Sequence, residues 1–280
     1  MLYRGMDRAA LDAAYTTSAS IPNVDGWRQG WLDRSAAFRK THQGKIGIPY
    51  TKNPSPQLDF FPATDPKAPT VMFLHGGYWQ RNSKDTFSFV AEGFLAHGFN
   101  AAIVGYTLAP HARLPRIVEE VGEAATWLHE NIASLGADPA RLYMTGWSAG
   151  GHLAAMNMAH PAIKGALAVS GLYDMEPIRL GSVNDVMKLD EAETRLVEPM
   201  SHIPAKAPPL IVSAGGGELP EFRRQATEYA AACRAKGLKV RYIEPAGCHH
   251  YSALDELAKP EGQLATAFAK LVKTGTLEDR

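Results

Sequence analysis

With 280 residues, 45% of them hydrophobic and 21% charged, the chain has the size and composition of one large folded domain with a real core. Its 29 basic and 29 acidic side chains cancel, and zero net charge gives neither nucleic acid nor an anionic membrane a reason to bind. Two cysteines are too few for a disulfide framework, the opening MLYRGMDRAALDAAYTTSAS lacks the apolar core of a secretory signal, and no run is long enough to span a bilayer, so a soluble cytoplasmic protein is expected.

Residues 1–57 read as an irregular, mostly polar N-terminal arm, with Trp27, Trp31 and Phe38 as its anchors onto the rest of the chain. From residue 58 a rhythm sets in. LDFFPA is strand-like, and VMFLH (71–75) is a short apolar run bounded by turn signals, as suits a strand buried on both faces. Residues 85–97 carry Phe87, Phe89, Val90, Phe94 and Leu95 at near-helical spacing and stop at Gly98. NAAIVGY is a second buried strand. Ile117, Val121, Ala124, Ala125, Leu128 and Ile132 then recur at three- and four-residue steps, which predicts an amphipathic helix.

RLYMT predicts the next strand and GHLAAMNMAH a helix halted by Pro161, followed by the strand KGALAVSG. Residues 174–208, with four prolines among charges, interrupt the pattern as a small cap-like insertion. PLIVSA, a helix over about 220–236, KVRYIEP and a closing helix from about 260 complete it. Strands alternating with helices imply a single α/β domain over 58–280, with a mostly parallel sheet covered on both faces.

In this setting Gly146-Trp147-Ser148-Ala149-Gly150 follows a strand and opens a helix, the context that marks a G-x-S-x-G nucleophile elbow. A serine hydroxyl needs a base, an orienting acid and donors for an oxyanion. His75-Gly76-Gly77, directly after a buried strand, offers the backbone N–H groups of Gly76 and Gly77 as donors, with Ala149 completing the set; His75 itself reads as structural. The base is expected last in chain order. His249 and His250 both follow KVRYIEP, and His250 is favoured because Tyr251-Ser252 after it looks like entry into a helix. The acid is expected after PLIVSA. Glu218 lies on that loop, Glu221 in the first turn of a helix where the dipole alone favours it, and Asp174 is a rival after the preceding strand. No HExxH or CxxC accompanies the histidine pair, so no metal is expected. Cys248, with no elbow around it, reads as a small buried residue and not a nucleophile.

HGGYWQ, GWSAGGHLA, SGLYDMEPI, ELPEFRRQ and HHYSALDELA together resemble the kynurenine formamidase (arylformamidase) branch of the α/β-hydrolases, over about residues 20–270. The YTLAP turn and GxSAGG elbow are similar to those of the hormone-sensitive-lipase-like esterases. The resemblance implies an α/β-hydrolase fold and a cofactor-free serine hydrolase of small arylformamides or esters. It makes Ser148 the nucleophile, His250 the base, and Gly76, Gly77 and Ala149 the oxyanion donors. Where the family pattern D-x-P-E-F has aspartate, this chain has Glu218.

For an aromatic leaving group, Tyr78, Trp79, Trp147 and Tyr173 are expected around the site, Trp79 foremost, whereas Arg81 reads as a solvated surface arginine. A carboxylesterase or amidase for another small acyl compound is the alternative. A silent small-ligand receptor would be expected to break the triad, and all three candidates are present. The arm either wraps its own domain or pairs with a second subunit, so a homodimer stays open.

Overall fold

A continuous apolar strand sequence requires cover on both faces, and the three central segments TVMFL, NAAIV and LYMTGW are buried at every position. The computed structural model describes residues 1–52 and 56–277, so positions 53–55 of the expected arm and 278–280 at the end of the expected domain lie outside the described residues. The strands are β1 Lys45–Pro49, β2 Gln57–Phe61, β3 Thr70–Leu74, β4 Asn100–Val104, β5 Leu142–Trp147, β6 Ile163–Val169, β7 Leu210–Ser213 and β8 Val240–Ile243. They form one sheet in the order β1-β2-β4-β3-β5-β6-β7-β8. β2 runs antiparallel to both β1 and β4, and every pairing from β4 to β8 is parallel.

The helices are α1 Arg8–Tyr15, α2 Val24–Thr41, α3 Ala91–Ala96, α4 Leu114–Asn131, α5 Ala149–Asn157, α6 Glu176–Leu180, α7 Asn184–Met187, α8 Glu191–Leu196, α9 Pro220–Ala235, α10 Ser252–Ala258 and α11 Gln263–Thr274. α4 buries the expected stripe of Ile117, Val121, Ala124, Ala125 and Leu128. It starts beside a proline whose fixed φ is already helical. No helix among the described residues is long and apolar enough to cross a membrane.

Two expectations need correction. Residues 1–57 are not irregular: they hold α1, α2 and β1. Gly26 and Gly30 lower the intrinsic helicity of α2, and tertiary packing compensates through buried Trp31, Ser35 and Phe38. Its Asn23 cap, accepting from Gly26 N–H at 3.3 Å, and the Asp7 cap of α1, accepting from Ala10 N–H at 2.9 Å, were the readable signals. Residues 85–97 are likewise not one helix. A 3₁₀ segment, Lys84–Val90, precedes α3, and Phe87 breaks helical geometry at φ −119°, ψ 16°. That break lets both Phe87 and Phe89 reach the core.

The N-terminal segment folds back on its own chain. Ser35 Oγ donates to Thr86 O at 2.7 Å, and Arg34 pairs with Asp255 at 2.6 Å. Arg39 and Lys84 neutralise the fully buried Asp59 at 2.9 and 2.8 Å. Tyr15 O accepts from the Tyr78 hydroxyl at 2.5 Å, which ties the end of α1 to the loop after β3.

Candidate active site

The tight turn between β5 and α5 carries Ser148 at φ 58°, ψ −120°, a backbone state that non-glycine residues rarely hold. The turn survives because nothing beside it needs room. A Cβ on Gly146 would lie 2.2 Å from Gly150 O, and one on Gly150 would lie 1.9 Å from Leu74 O. Either contact would force strand and helix apart, so glycine on both sides of the serine is a steric requirement of the elbow. Backbone bonds from Ser148 N–H to Val169 O (2.8 Å) and from His152 N–H to Ser148 O (3.1 Å) fix the turn to the sheet and the helix.

From this serine runs one buried hydrogen-bonded chain. Ser148 Oγ lies 2.9 Å from His250 Nε2, and His250 Nδ1 lies 2.6 Å from Glu218 Oε2. An ionised carboxylate can only accept, so Nδ1 carries the ring proton and Nε2 is left to accept from the serine. The other oxygen of Glu218 accepts from Ser170 Oγ at 2.5 Å and from Gly215 N–H at 2.7 Å. The extra methylene of glutamate is therefore absorbed by a loop that folds its carboxylate back onto Gly215. Trp147 Nε1–H holds the histidine loop by donating to His250 O at 2.9 Å.

The rivals lie elsewhere. His249 sits edge-on to Trp27, and its Nδ1 accepts from the N–H groups of Tyr251 and Ser252 at the start of α10. Asp174 binds Tyr3 and the N–H of Glu176, while Glu221 pairs with Arg224 at 2.7 Å and accepts from Tyr15. Cys248 is only partly buried, not the buried residue expected, and desolvation raises its thiol pKa, which disfavours the thiolate.

Of the expected oxyanion donors, Gly76 lies against the serine: a Cβ there would sit 2.9 Å from Ser148 Cβ. Gly77 lines the cavity in front of Ser148. Ala149 is the first residue of α5, where no intrahelical carbonyl can take its N–H. His75 stacks between Tyr106 (4.3 Å) and Phe87 (5.9 Å), and burial lowers its pKa to about 4, so it stands neutral under the loop.

The cavity over the serine is about 150 Å³, a volume of the order that holds one benzene ring. Tyr78 and Trp147 are among the residues that line it. Trp79 and Tyr173 are not. Trp79 is fully buried edge-on to His152, with ring centroids 4.9 Å apart. Tyr173 is fully buried and stacked on Tyr229 at 4.3 Å. Tyr78 and Trp79 are consecutive residues with positive φ, 53° and 57°, and such a turn sends neighbouring side chains to different sides.

Trp31, Tyr251 and Arg28 supply lining that sequence reasoning missed, and Arg81, expected on the open surface, is exposed at the same cavity. None of residues 174–208 lines it; Thr17, Ser18, Arg28 and Trp31 of the N-terminal segment do. Ser170 was also missed, although a small polar residue directly after a buried strand beside the elbow strand was the signal available. A larger groove of about 770 Å³ along the edge of β8 holds no nucleophile–base pair, so the chemistry, not the volume, marks the site.

Known proteins resemble this chain in sequence and in fold. The sequence model of the prolyl oligopeptidase family matches residues 117–272, and that of BD-FAE matches residues 58–166. Kynurenine formamidase of Danio rerio is 30% identical over 250 residues, 84% of each chain. That of Salmo salar is 29% identical over 246 residues, 82% of each. A solved structure from Silicibacter sp. superposes with a TM-score of 0.83 at 26% identity, covering 91% of this chain and 97% of that one. The carboxylesterase EstE1 from a metagenomic library gives 0.70 at 20% identity, covering 91% and 98%, a likeness of fold alone. With an elbow serine on an eight-stranded sheet and matches of this extent, the chain is a serine hydrolase of the α/β-hydrolase fold and belongs to the kynurenine formamidase family, within the reach of the broader prolyl oligopeptidase family.

Proposed function

We propose that this enzyme hydrolyses a small arylformamide, N-formylkynurenine or a close relative, through a formyl-enzyme on Ser148. The observation that carries the reading is the unbroken chain Ser148 Oγ–His250 Nε2, His250 Nδ1–Glu218 opening on a cavity walled by Trp31, Tyr78, Trp147 and Tyr251. The relatives named kynurenine formamidase support the choice of substrate. In this mechanism Ser148 Oγ attacks the formyl carbonyl while His250 Nε2 takes its proton. Glu218 holds the imidazole tautomer and then stabilises the imidazolium. Gly76, Gly77 and Ala149 N–H groups bind the oxyanion. His250 protonates the departing aniline nitrogen. Water, deprotonated by the same histidine, then releases formate and restores the serine. No step calls for a cofactor, and a reducing cytoplasmic compartment suits the two free cysteines, Cys233 and Cys248.

A carboxylesterase for another small acyl compound is the second reading, favoured by the glutamate that stands where the family resemblance implies aspartate. Side-by-side kcat/KM values for N-formyl-L-kynurenine and p-nitrophenyl acetate separate the two. A formamide value of about 10⁴ M⁻¹s⁻¹ or more, within the ordinary range of dedicated enzymes, is the expected outcome. Rapid ester cleavage with negligible formamide turnover would retain the serine chemistry and reject the arylformamide.

A further inference from the structure

The mouth of the cavity over Ser148 is flanked by two arginines and no carboxylate. Arg28 comes from α2 and Arg81 from the loop that carries the glycine N–H groups, and both are exposed there. Glu218, the acid nearest the chemistry, is buried behind His250 with its charge committed to the imidazole, Ser170 and Gly215. The positive mouth is not a by-product of a basic protein, because the chain's net charge is zero.

Neither guanidinium is tied down. Arg28 has a single ion-pair partner among the described residues, Asp25, at 3.5 Å on the same exposed helix face, and such a pair contributes little in water. Arg81 makes no ion pair among the described residues, while its N–H donates to Gly77 O at 3.0 Å. Its backbone is therefore fixed beside the cavity while its head group stays available. One cation without an ion pair and one held only by an exposed pair, from separate elements and both lining a cavity whose walls are aromatic, describe a receptor for an aromatic molecule with an anionic arm.

We propose that Arg28 and Arg81 form a carboxylate subsite that selects substrates carrying a negative charge on the leaving-group side of the scissile bond. The side follows from the arylformamide reading, on which this proposal rests: a formyl group has no atoms to spare, so the carboxylate must sit on the departing amine. The cavity has room for about one ring, which puts an arm attached to that ring out at the mouth, where the arginines are. The N-terminal segment thereby becomes part of the specificity apparatus, since it brings Arg28 and Trp31 to the same opening.

The test uses the whole chain and two substrate pairs in which the carboxylate of one member is masked as a methyl ester in the other. One pair is N-formyl-L-kynurenine and its methyl ester. The other, independent of the formamide reading, is 3-(2-acetoxyphenyl)propanoate and its methyl ester. Wild type is expected to favour the carboxylate member in kcat/KM, and raising NaCl from 0.05 to 0.5 M should erode that preference by screening. In the Arg28→Met/Arg81→Met double variant the carboxylate-to-ester ratio should fall about tenfold, the scale of two partly solvated charge contacts, and the salt effect on the ratio should shrink. The Arg28→Lys/Arg81→Lys double variant should keep most of the preference. A Met/Met ratio equal to wild type in the acetoxy pair, or equal losses for both members of the pair, would overturn the subsite. Cleavage of the acetoxy pair without any formamide turnover would instead remove the arylformamide reading, and the acetoxy ratio would still decide the role of the arginines.

Discussion

Ser148→Ala is expected to lower kcat for either aryl ester or formamide by about 10⁶-fold, to a residual rate sustained by binding and the oxyanion donors alone. The substitution removes one oxygen whose hydrogen bond in this structure is to His250. It leaves the backbone bonds from Ser148 N–H to Val169 O and from His152 N–H to Ser148 O untouched. The urea midpoint should therefore stay close to wild type while turnover collapses, and ligand affinity should survive. A folded alanine variant with turnover within tenfold of wild type would remove Ser148 from the mechanism.

Glu218→Gln is expected to cost about 10⁴-fold in kcat, the scale set by holding the base in the wrong tautomer. The reason lies in the far oxygen of Glu218, which accepts from Gly215 N–H and Ser170 Oγ. An amide NH₂ placed there would set donor against the Gly215 N–H, so the glutamine must turn its oxygen to Gly215 and its NH₂ toward His250. Nδ1 then has to accept, the ring proton moves to Nε2, and the nitrogen facing Ser148 loses the lone pair it needs. Glu218→Asp keeps the charge but falls one methylene short of its partners, so the expected order of kcat is Glu, then Asp, then Gln. Turnover of the Gln variant within tenfold of wild type would show that the carboxylate does not orient His250.

The sheet was legible because its central strands are buried on both faces and therefore read as short continuous apolar runs, with β3, β4 and β5 buried at every residue. The serine was legible for a related reason: the clash that would follow from a side chain on Gly146 or Gly150 leaves glycine as the residue that fits, which writes the elbow into the sequence. Strand order narrowed the base to His249 or His250 and the acid to Glu218, Glu221 or Asp174. The helix entry at Tyr251-Ser252 and the loop position of Glu218 favoured His250 and Glu218, the pair that the structure brings to Ser148.

What stayed hidden depended on contacts between distant segments. Trp31 lies far from Ser148 in the chain and reaches the cavity because α2 packs over the Lys84–Val90 turn through the Ser35 Oγ–Thr86 O bond. Trp79, adjacent in sequence to a true wall residue, was sent to the core by the consecutive positive φ values of Tyr78 and Trp79. Tyr173 was claimed by stacking on Tyr229 of α9, a partner no local pattern announces. Helix α2 was masked by two glycines and a polar composition, and it forms because Trp31 and Phe38 have a core to enter.

The central claim is that Ser148, activated by His250 and Glu218, takes the acyl group. The most direct measurement is the intact mass and peptide map of enzyme treated with an aryl phosphonofluoridate, a reagent that phosphonylates an activated serine. One equivalent of label on the peptide containing Ser148, absent from Ser148→Ala and formed far more slowly in Glu218→Gln, is the expected result. Label on another residue such as Cys248, or undiminished labelling of the Ser148→Ala variant, would contradict it.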